Sequence, residues 1–342
     1  MTFRLLSCDG GGIRGYLSSK LIQALDKATG GKLLSGVHGF AGTSTGGLIS
    51  VSLASGVDIA TVVDIYATKA AEIFTPNRNW AATEKDEKAI QAALEDKGLE
   101  AGPGYLGCAY TSAGLVSVMT PYLGTKTLGE IGGKLLAVNS AQLWNAAISP
   151  AHWAPVTLNN KGVGADYGSV TLLDAALATS AAPTYFPPHQ IAGLGYFADG
   201  GTFANDPVLN GMEVAIASGA ASALGDIEIV SIGTGISPQG IPASDIGNPL
   251  NWGVLKWLKP WASGGAPATP LLNLTLDLAS QNLGAITERL LGKQLVRINP
   301  VLSKPVALDE YSPQDYRIMD EAIAAAMKSQ DWKDALRLVS GW

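Results

Sequence analysis

The stretch FRLLSCDGGGIRG (residues 3–15) runs from a short apolar segment directly into a cluster of glycines. An amphipathic segment at residues 16–27 comes next, with its leucines and isoleucine at helical spacing. The same order then repeats, because apolar residues 37–41 lead into the turn GTSTG (residues 42–46) and an apolar segment that ends near residue 54. Two successive units of strand, glycine turn and helix predict an α/β fold with a parallel sheet.

Further elements are predicted along the rest of the chain. Strands are expected at Leu135–Asn139, Tyr196–Ala198 and Ile227–Ile232. Helices are expected at Asp58–Phe74, Leu172–Ser180, 271–291 and 313–338, and the charge run Glu84–Lys88 is expected on a solvated helix. We expect a single domain, 1–342, with a motif-bearing core at about 3–235, a lid-like insertion rich in Trp, Pro and Gly at about 238–270, and C-terminal helices at about 271–338.

Composition and charge exclude several classes of protein. Apolar residues make up 47% of the 342 residues and charged residues 15%, so the chain is expected to bury a core rather than remain disordered. The formal net charge is −6 and basic residues form no run, which argues against a nucleic-acid partner. No apolar stretch is long enough to span a membrane and no signal peptide is recognised, so we expect a cytoplasmic or peripheral protein, with signal-independent secretion left open.

The sequence contains no pattern of metal ligands. Cys8 and Cys108 are too few for a disulfide framework and have no CxxC or Cys/His spacing around them. Acidic residues do not cluster at the spacing of a Ca²⁺ loop. We therefore predict no metal and no cofactor.

The first motif with chemical potential is the glycine cluster DGGGIRG at residues 9–15. Glycines between a strand and a helix can leave backbone N–H groups pointing at one spot, where the helix N-terminus adds positive potential. Such a loop can hold a phosphate or the oxyanion of a tetrahedral intermediate. A dinucleotide site of the G-x-G-x-x-G type requires an acidic residue after the second strand, and residues 30–43 contain no Asp or Glu.

The second motif is GTSTG, with Ser44 at its centre. A sharp turn from strand to helix exposes the central Ser as a nucleophile, which then needs a base. The chain has three histidines, and a triad requires either His189 with Asp166 or Asp174, or His152 with an earlier acid. Ser44 also follows only two predicted strands, so the α/β-hydrolase arrangement of Ser, acid and His fits poorly.

The third motif is the Asp199-Gly200-Gly201 stretch at the end of a short predicted strand. Together with DGGGIRG, GTSTG, the stretch ATSAAPTYFPP (residues 178–188) and SIGTG (residues 231–235), it resembles the patatin-like phospholipase family. The resemblance covers segments of residues 3–235, whereas residues 238–310 match nothing assignable. It implies a three-layer α/β fold with a mostly parallel central sheet flanked by helices.

The resemblance also implies a mechanism and a site. Ser44 is expected to be the acylated nucleophile, Asp199 its base, and the N–H groups of Gly10, Gly11 and Gly12 the oxyanion hole. Arg14 is expected to position the loop or bind a phosphate head group, and the substrate is expected to be a phospholipid or another acyl-ester lipid. Because acidic residues do not cluster at Ca²⁺-loop spacing, hydrolysis is expected to be independent of Ca²⁺. A carboxylate is a weak base, so we expect burial beside Phe186 or Tyr196 to raise the pKa of Asp199.

Two questions stay open at this stage. The residues Trp252, Trp257 and Trp261, with Lys256 and Lys259 beside them, suit either a lid that contacts a membrane or micelle, or packing against the core. The alternatives to the Ser–Asp hydrolase are a triad esterase and a non-catalytic lipid-binding or storage protein on the same fold.

Overall fold

The computed structural model describes residues 2–78, 107–145, 152–259 and 267–342. The strands are β1 (Phe3–Cys8), β2 (Gly39–Thr43), β3 (Leu135–Gln142), β4 (Ala154–Asn159), β5 (His189–Ile191), β6 (Gly195–Asp199), β7 (Ile227–Ile232) and β8 (Leu295–Ile298). The helices are α1 (Gly15–Ala28), α2 (Lys32–Gly36), α3 (Thr45–Ala54), α4 (Ile59–Thr68), α5 (Ala70–Ile73), α6 (Ala113–Leu123), α7 (Leu172–Thr179), α8 (Gly201–Ala204), α9 (Val208–Ala217), α10 (Ala243–Ile246), α11 (Val254–Trp257), α12 (Pro270–Leu291), α13 (Pro313–Ala326) and α14 (Gln330–Ser340).

The strands form one mixed sheet in the order β5-β6-β3-β2-β1-β7-β8, with β4 paired to β3. The five strands from β3 to β8 along this order run parallel, whereas β4, β5 and β6 pair antiparallel with their neighbours. The sequence prediction of an α/β fold with a mostly parallel sheet is therefore confirmed.

Helices cover both faces of the sheet, as consecutive residues of β1 demonstrate. Leu6 is buried in a large apolar cluster with helix α1 and helix α3, whereas Leu5 is buried in a second cluster with helix α9. Successive side chains of a strand point to opposite faces, so a strand buried on both faces lies in the middle of three layers. This burial explains why four of the six residues of FRLLSC are apolar.

Several predicted elements differ from the structure. The helix expected at Asp58–Phe74 is two helices, α4 and α5, and the helix expected at 313–338 is likewise two, α13 and α14. A new helix begins after Ser329, whose hydroxyl accepts a hydrogen bond from the backbone N–H of Trp332 and caps α14. Strands β4, β5 and β8 were not predicted, and two of them, β5 and β8, have only three and four residues. The charge run Glu84–Lys88 lies outside the described residues.

The described helices were also searched for length and hydropathy. None of those in the four described ranges is both long and apolar enough to cross a membrane.

Candidate active site

Ser44 lies between β2 and α3 in a backbone conformation that is rare for a residue with a side chain. Its φ is 53° and its ψ is −125°. Its backbone N–H donates to Thr179 Oγ1 at 2.8 Å, and the Thr179 hydroxyl in turn donates to the Asn139 carbonyl oxygen at 2.6 Å. Such strain persists where the surroundings hold it, and it turns the Ser44 side chain out of the sheet at the start of the helix.

The glycines on either side of Ser44 are required by close backbone contacts. A Cβ on Gly46 would lie 2.0 Å from the carbonyl oxygen of Cys8, and one on Gly42 would lie 2.3 Å from the carbonyl oxygen of Gly46. These contacts place the turn directly against the end of β1. The G-x-S-x-G pattern therefore reflects packing of one strand end against its neighbour.

The register of β3 brings Asp199 beside Ser44. Asn139 pairs with Thr43 of β2, and the next residue, Ser140, pairs with Asp199 of β6. Thr43, the residue before Ser44, and Asp199 therefore pair with consecutive residues of β3. The Ser44 and Asp199 side chains line the same pocket, and the Asp199 carboxyl group accepts the backbone N–H of Gly201 at 2.7 Å.

Asp199 is buried, with 3% of its surface exposed, and this burial changes the pKa of its carboxyl group. Burial raises the pKa of Asp199 to about 7, and the nearby Ser44 hydroxyl and Gly201 N–H only partly oppose that rise. Phe186 lines the same pocket, as expected, whereas Tyr196 is 48% exposed and is not part of the pocket wall. The carboxyl group is therefore poised between its acid and base forms near neutrality.

The glycine loop offers fewer free donors than the sequence suggested. The Gly10 N–H donates to the Asn205 carbonyl oxygen at 3.1 Å, so it is already engaged. Within the described part of the chain, the N–H groups of Gly11 and Gly12 donate to no protein acceptor. Gly11 and Gly12 are therefore the loop glycines whose N–H groups are free to donate to a bound oxyanion.

The Arg14 side chain contacts the glycine loop through hydrogen bonds to backbone carbonyl oxygens. Its guanidinium donates to the carbonyl oxygens of Gly11 at 3.4 Å and Gly235 at 3.2 Å, and it lies 3.7 Å from the Asp277 carboxylate. The side chain is 5% exposed. Of the two roles expected for Arg14, these contacts favour positioning of the loop over binding of a head group.

A pocket open to solvent connects these groups, with an empty volume of about 720 Å³ including its mouth. Ser44, Asp199 and the three glycines lie at its polar end. The rest of its wall is mainly apolar and includes Ile13, Leu48, Ile73, Phe74, Leu115, Phe186, Leu276 and Leu308. This arrangement suits a substrate with a polar reacting group and a hydrocarbon chain.

A second, smaller cavity adjoins the apolar end of the pocket. Both cavities are lined by Leu48, Tyr66, Ile73 and Leu115. The second cavity reaches further between helices, to Val62, Ile65 and Met119. A thin layer of side chains therefore separates the pocket from additional apolar space.

The histidines do not line the pocket. His189 Nε2 lies 2.9 Å from Asp174 Oδ1, so one of the pairs considered for a triad does form, but outside the pocket wall. His38 accepts the backbone N–H of Arg4 through Nδ1 at 3.2 Å, and His152 is exposed.

Two residues that the sequence analysis did not single out support the site. The Thr179 hydroxyl accepts the Ser44 backbone N–H. Thr179 lies within the stretch ATSAAPTYFPP, which is the sequence feature that could have pointed to it. Asn205 engages Gly10 through its carbonyl oxygen, and its Nδ2 donates to the Gly10 carbonyl oxygen at 3.3 Å. No spacing rule indicates Asn205, because its contact joins residues 195 apart in the chain.

The tryptophans of the insertion are half-buried where they are described. The rings of Trp252 and Trp257 meet edge to face at 4.8 Å, and the Trp252 indole donates to the Ile246 carbonyl oxygen at 2.9 Å. Trp261 lies outside the described residues. The two described rings therefore contact each other, and Trp252 also bonds its own segment.

Comparison with known proteins agrees with the geometry. The family model described as "Patatin-like phospholipase" matches residues 6–211, which include the glycine loop, Ser44 and Asp199. The chain is 29% identical over 247 residues to a cGAMP-activated phospholipase of Vibrio cholerae, covering 68% of this chain and 64% of that protein. It is 28% identical over 327 residues to an 85/88 kDa calcium-independent phospholipase A2 of Rattus norvegicus, covering 90% of this chain and 37% of that protein.

The chain thus spans less than two thirds of the length of these two relatives. Among solved structures, VipD from Legionella pneumophila aligns over 99% of this chain and 67% of its own, with a TM-score of 0.46 and 13% identity. Because the family model matches more than half of the sequence, the chain belongs to the patatin-like phospholipase family of serine hydrolases, which act on lipid acyl esters.

Proposed function

We propose that the chain hydrolyses carboxylic ester bonds of phospholipids through Ser44 and Asp199. The observation that carries this proposal is that Ser44 and the buried Asp199 carboxyl group share the wall of one mainly apolar pocket with the glycine loop. The similarity to proteins named as phospholipases supports the choice of substrate.

In the first half of the reaction, Ser44 Oγ attacks the ester carbonyl carbon while its proton passes to Asp199. The negative charge that develops on the carbonyl oxygen is stabilised by the free N–H groups of Gly11 and Gly12. The tetrahedral intermediate collapses to an acyl-Ser44, and the leaving lysophospholipid oxygen takes the proton from Asp199. In the second half, Asp199 accepts a proton from water, which attacks the acyl-enzyme and releases the fatty acid.

The elevated pKa of Asp199 is what allows a carboxylate to act as the base. An exposed carboxylate titrates near pH 4 and has little tendency to remove a proton from Ser44. A pKa of about 7 brings the base close to the operating pH and strengthens it. The apolar wall accepts the acyl chain and excludes water from the reacting carbonyl.

The enzyme meets its substrate, in this proposal, as a peripheral protein at aggregated lipid. The contact expected for Trp252, Trp257 and Trp261 belongs to the same proposal. The contact between the Trp252 and Trp257 rings and the exposure of the neighbouring Leu250 and Val254 side chains support this part of the proposal.

Active-site labelling tests the proposal directly. A fluorophosphonate is expected to label the protein with one equivalent, and Ser44→Ala is expected to abolish both labelling and hydrolysis of phosphatidylcholine vesicles. Ser35→Ala, which removes an exposed hydroxyl that donates to the Gly31 carbonyl oxygen, serves as the control. Absence of labelling in the unaltered protein would leave the lipid-binding or storage alternative.

The triad alternative is separated by His189→Ala. Because His189 contacts Asp174 outside the pocket wall, the dyad proposal expects this variant to keep most of its activity. A loss as large as that of Ser44→Ala would favour a triad instead.

A further inference from the structure

Helix α12 presents two different faces, and the inward face belongs to the site. Leu276 lines the pocket wall, the Asp277 carboxylate lies beside Arg14, and the Ser280 hydroxyl donates to Asp9 Oδ2 at 2.7 Å. Asp9 and Arg14 flank the glycine loop. The inward face of α12 therefore helps to hold the loop that carries the proposed oxyanion donors.

The opposite face of the first half of α12 is apolar and exposed. Leu271, Leu274 and Leu278 are 41%, 44% and 52% exposed, at intervals of three and four residues that align them on one side of a helix. The only charged residue between 271 and 278 is Asp277, which turns inward toward Arg14. An outward helix face normally carries polar residues, so this one is unusual.

The segment before α12 also exposes apolar side chains. Leu250 is 92% exposed and Val254 is 69% exposed, and α11, which begins at Val254, packs against α12. The Lys256 ammonium lies over the Trp252 ring at 5.3 Å from its centroid, as amphipathic side chains do at an interface. We call the five residues Leu250, Val254, Leu271, Leu274 and Leu278 the apolar face.

We propose that the apolar face docks onto a zwitterionic phospholipid surface and sets the pocket against it. This inference rests on the proposed function and adds where the lipid aggregate is contacted. The same helix that exposes Leu274 and Leu278 also supplies Leu276 to the pocket wall, so docking brings the pocket to its substrate. One helix therefore joins the apolar face to the pocket wall that is proposed to receive the acyl chain.

The chemistry of the face selects lipid over a protein partner. Its members are all aliphatic, whereas the residues that dominate protein interfaces are Trp, Tyr and Arg. The net charge of −6 gives no reason to expect attraction to anionic lipid, so phosphatidylcholine is the surface that it fits best. Burial of aliphatic side chains in the interfacial region then provides the binding free energy.

Binding can be measured without turnover. The Ser44→Ala protein is incubated with vesicles of diether phosphatidylcholine, which contain no ester bond, and the bound fraction is determined by flotation. In this background, Leu274→Glu with Leu278→Glu is expected to lower the vesicle partition coefficient about tenfold or more. Leu224→Glu, an exposed leucine before the amino-terminal end of β7, is the matched control and is expected to bind like its parent.

A second variant guards against a folding defect. Val254→Glu alters the face on a different helix and is expected to weaken vesicle binding in the same direction, while circular dichroism verifies the fold. In the Ser44 enzyme, the double glutamate variant is expected to lose at least several-fold more rate on vesicles than on a soluble monomeric ester.

Three results would overturn the inference. Unchanged vesicle binding in both glutamate variants would remove the docking surface. Equal rate losses on vesicles and monomeric ester would make the face structural. A change in oligomeric state with vesicle binding intact would assign it to a second copy of the chain. Failure of the Ser44–Asp199 proposal is distinguished from all three, because the flotation assay does not depend on hydrolysis.

Discussion

Arg297 and Asp9 form a buried ion pair although 288 residues separate them in the chain. Arg297 Nη1 lies 3.1 Å from Asp9 Oδ1, and Nη2 lies 2.5 Å from Asp9 Oδ2. Arg297 Nη1 also lies 3.2 Å from Asp206 Oδ2. Asp9 immediately precedes the glycine loop, so β8, at the end of the sheet, fixes the residue from which the loop begins.

Loss of this arginine is expected to destabilise the fold. Arg297→Met leaves two carboxylates buried without their partner, and such losses cost about 3 to 5 kcal/mol in the free energy of unfolding. Denaturant unfolding followed by circular dichroism measures the change. Arg337→Met, which breaks an exposed pair with Asp334, is the control and is expected to cost about 1 kcal/mol or less. Equal effects of the two substitutions would contradict the role assigned to Arg297.

The pH profile is expected to report Asp199. The base must be deprotonated, and its pKa is about 7, so kcat/KM should rise with pH up to about 7 and then level. Below that pH, the rate is expected to fall about tenfold per pH unit, because the deprotonated fraction falls by that factor. Rates on a soluble ester between pH 5 and 9, with folding verified at each pH, provide the measurement. An acid limb near pH 4 argues against a buried base, and His189→Ala should leave the limb in place.

Gly46 is expected to tolerate no side chain. In Gly46→Ala the new Cβ meets the backbone of β1 at 2.0 Å, and backbone cannot move aside as a flexible side chain can. We expect a loss of about 3 kcal/mol or more in the free energy of unfolding, or no soluble protein. Gly132→Ala is the matched control, because a Cβ there has no neighbour within 4 Å. A stable and active Gly46→Ala protein would show that the turn does not pack as described.

Leu115 is expected to limit the length of the acyl chain. It lines both the pocket and the second cavity, so Leu115→Ala should join the two spaces and shift the preferred ester toward longer acyl chains. The same truncation is expected to cost about 2 to 5 kcal/mol in stability. Leu21→Ala, a fully buried leucine that lines neither cavity, should cost similar stability without a shift in preference. A series of p-nitrophenyl esters of increasing chain length measures the preference, and a parallel shift in both variants would refute the assignment.

Features that depend on residues close together in the chain could be predicted from the sequence. The glycine turn around Ser44 was recognisable because a sharp strand-to-helix turn leaves no room for a Cβ at Gly42 or Gly46. The elevated pKa of Asp199 was expected from chemistry, since a carboxylate that serves as a base must be raised toward neutrality. The break between α13 and α14 was missed, although the capping residue Ser329 is itself a local signal.

By itself, then, the sequence determined the order of strand, glycine turn and helix and the identity of the Ser and Asp motifs, because those depend on steric and periodic rules within a few residues. Tertiary structure alone decided which N–H groups of the glycine loop stay free, since Asn205 engages Gly10 from 195 residues away. It also decided that Arg14 holds the loop, that Arg297 holds Asp9, and that α12 turns leucines outward. These outcomes follow from strand register and helix packing, which bring together residues that no local pattern links.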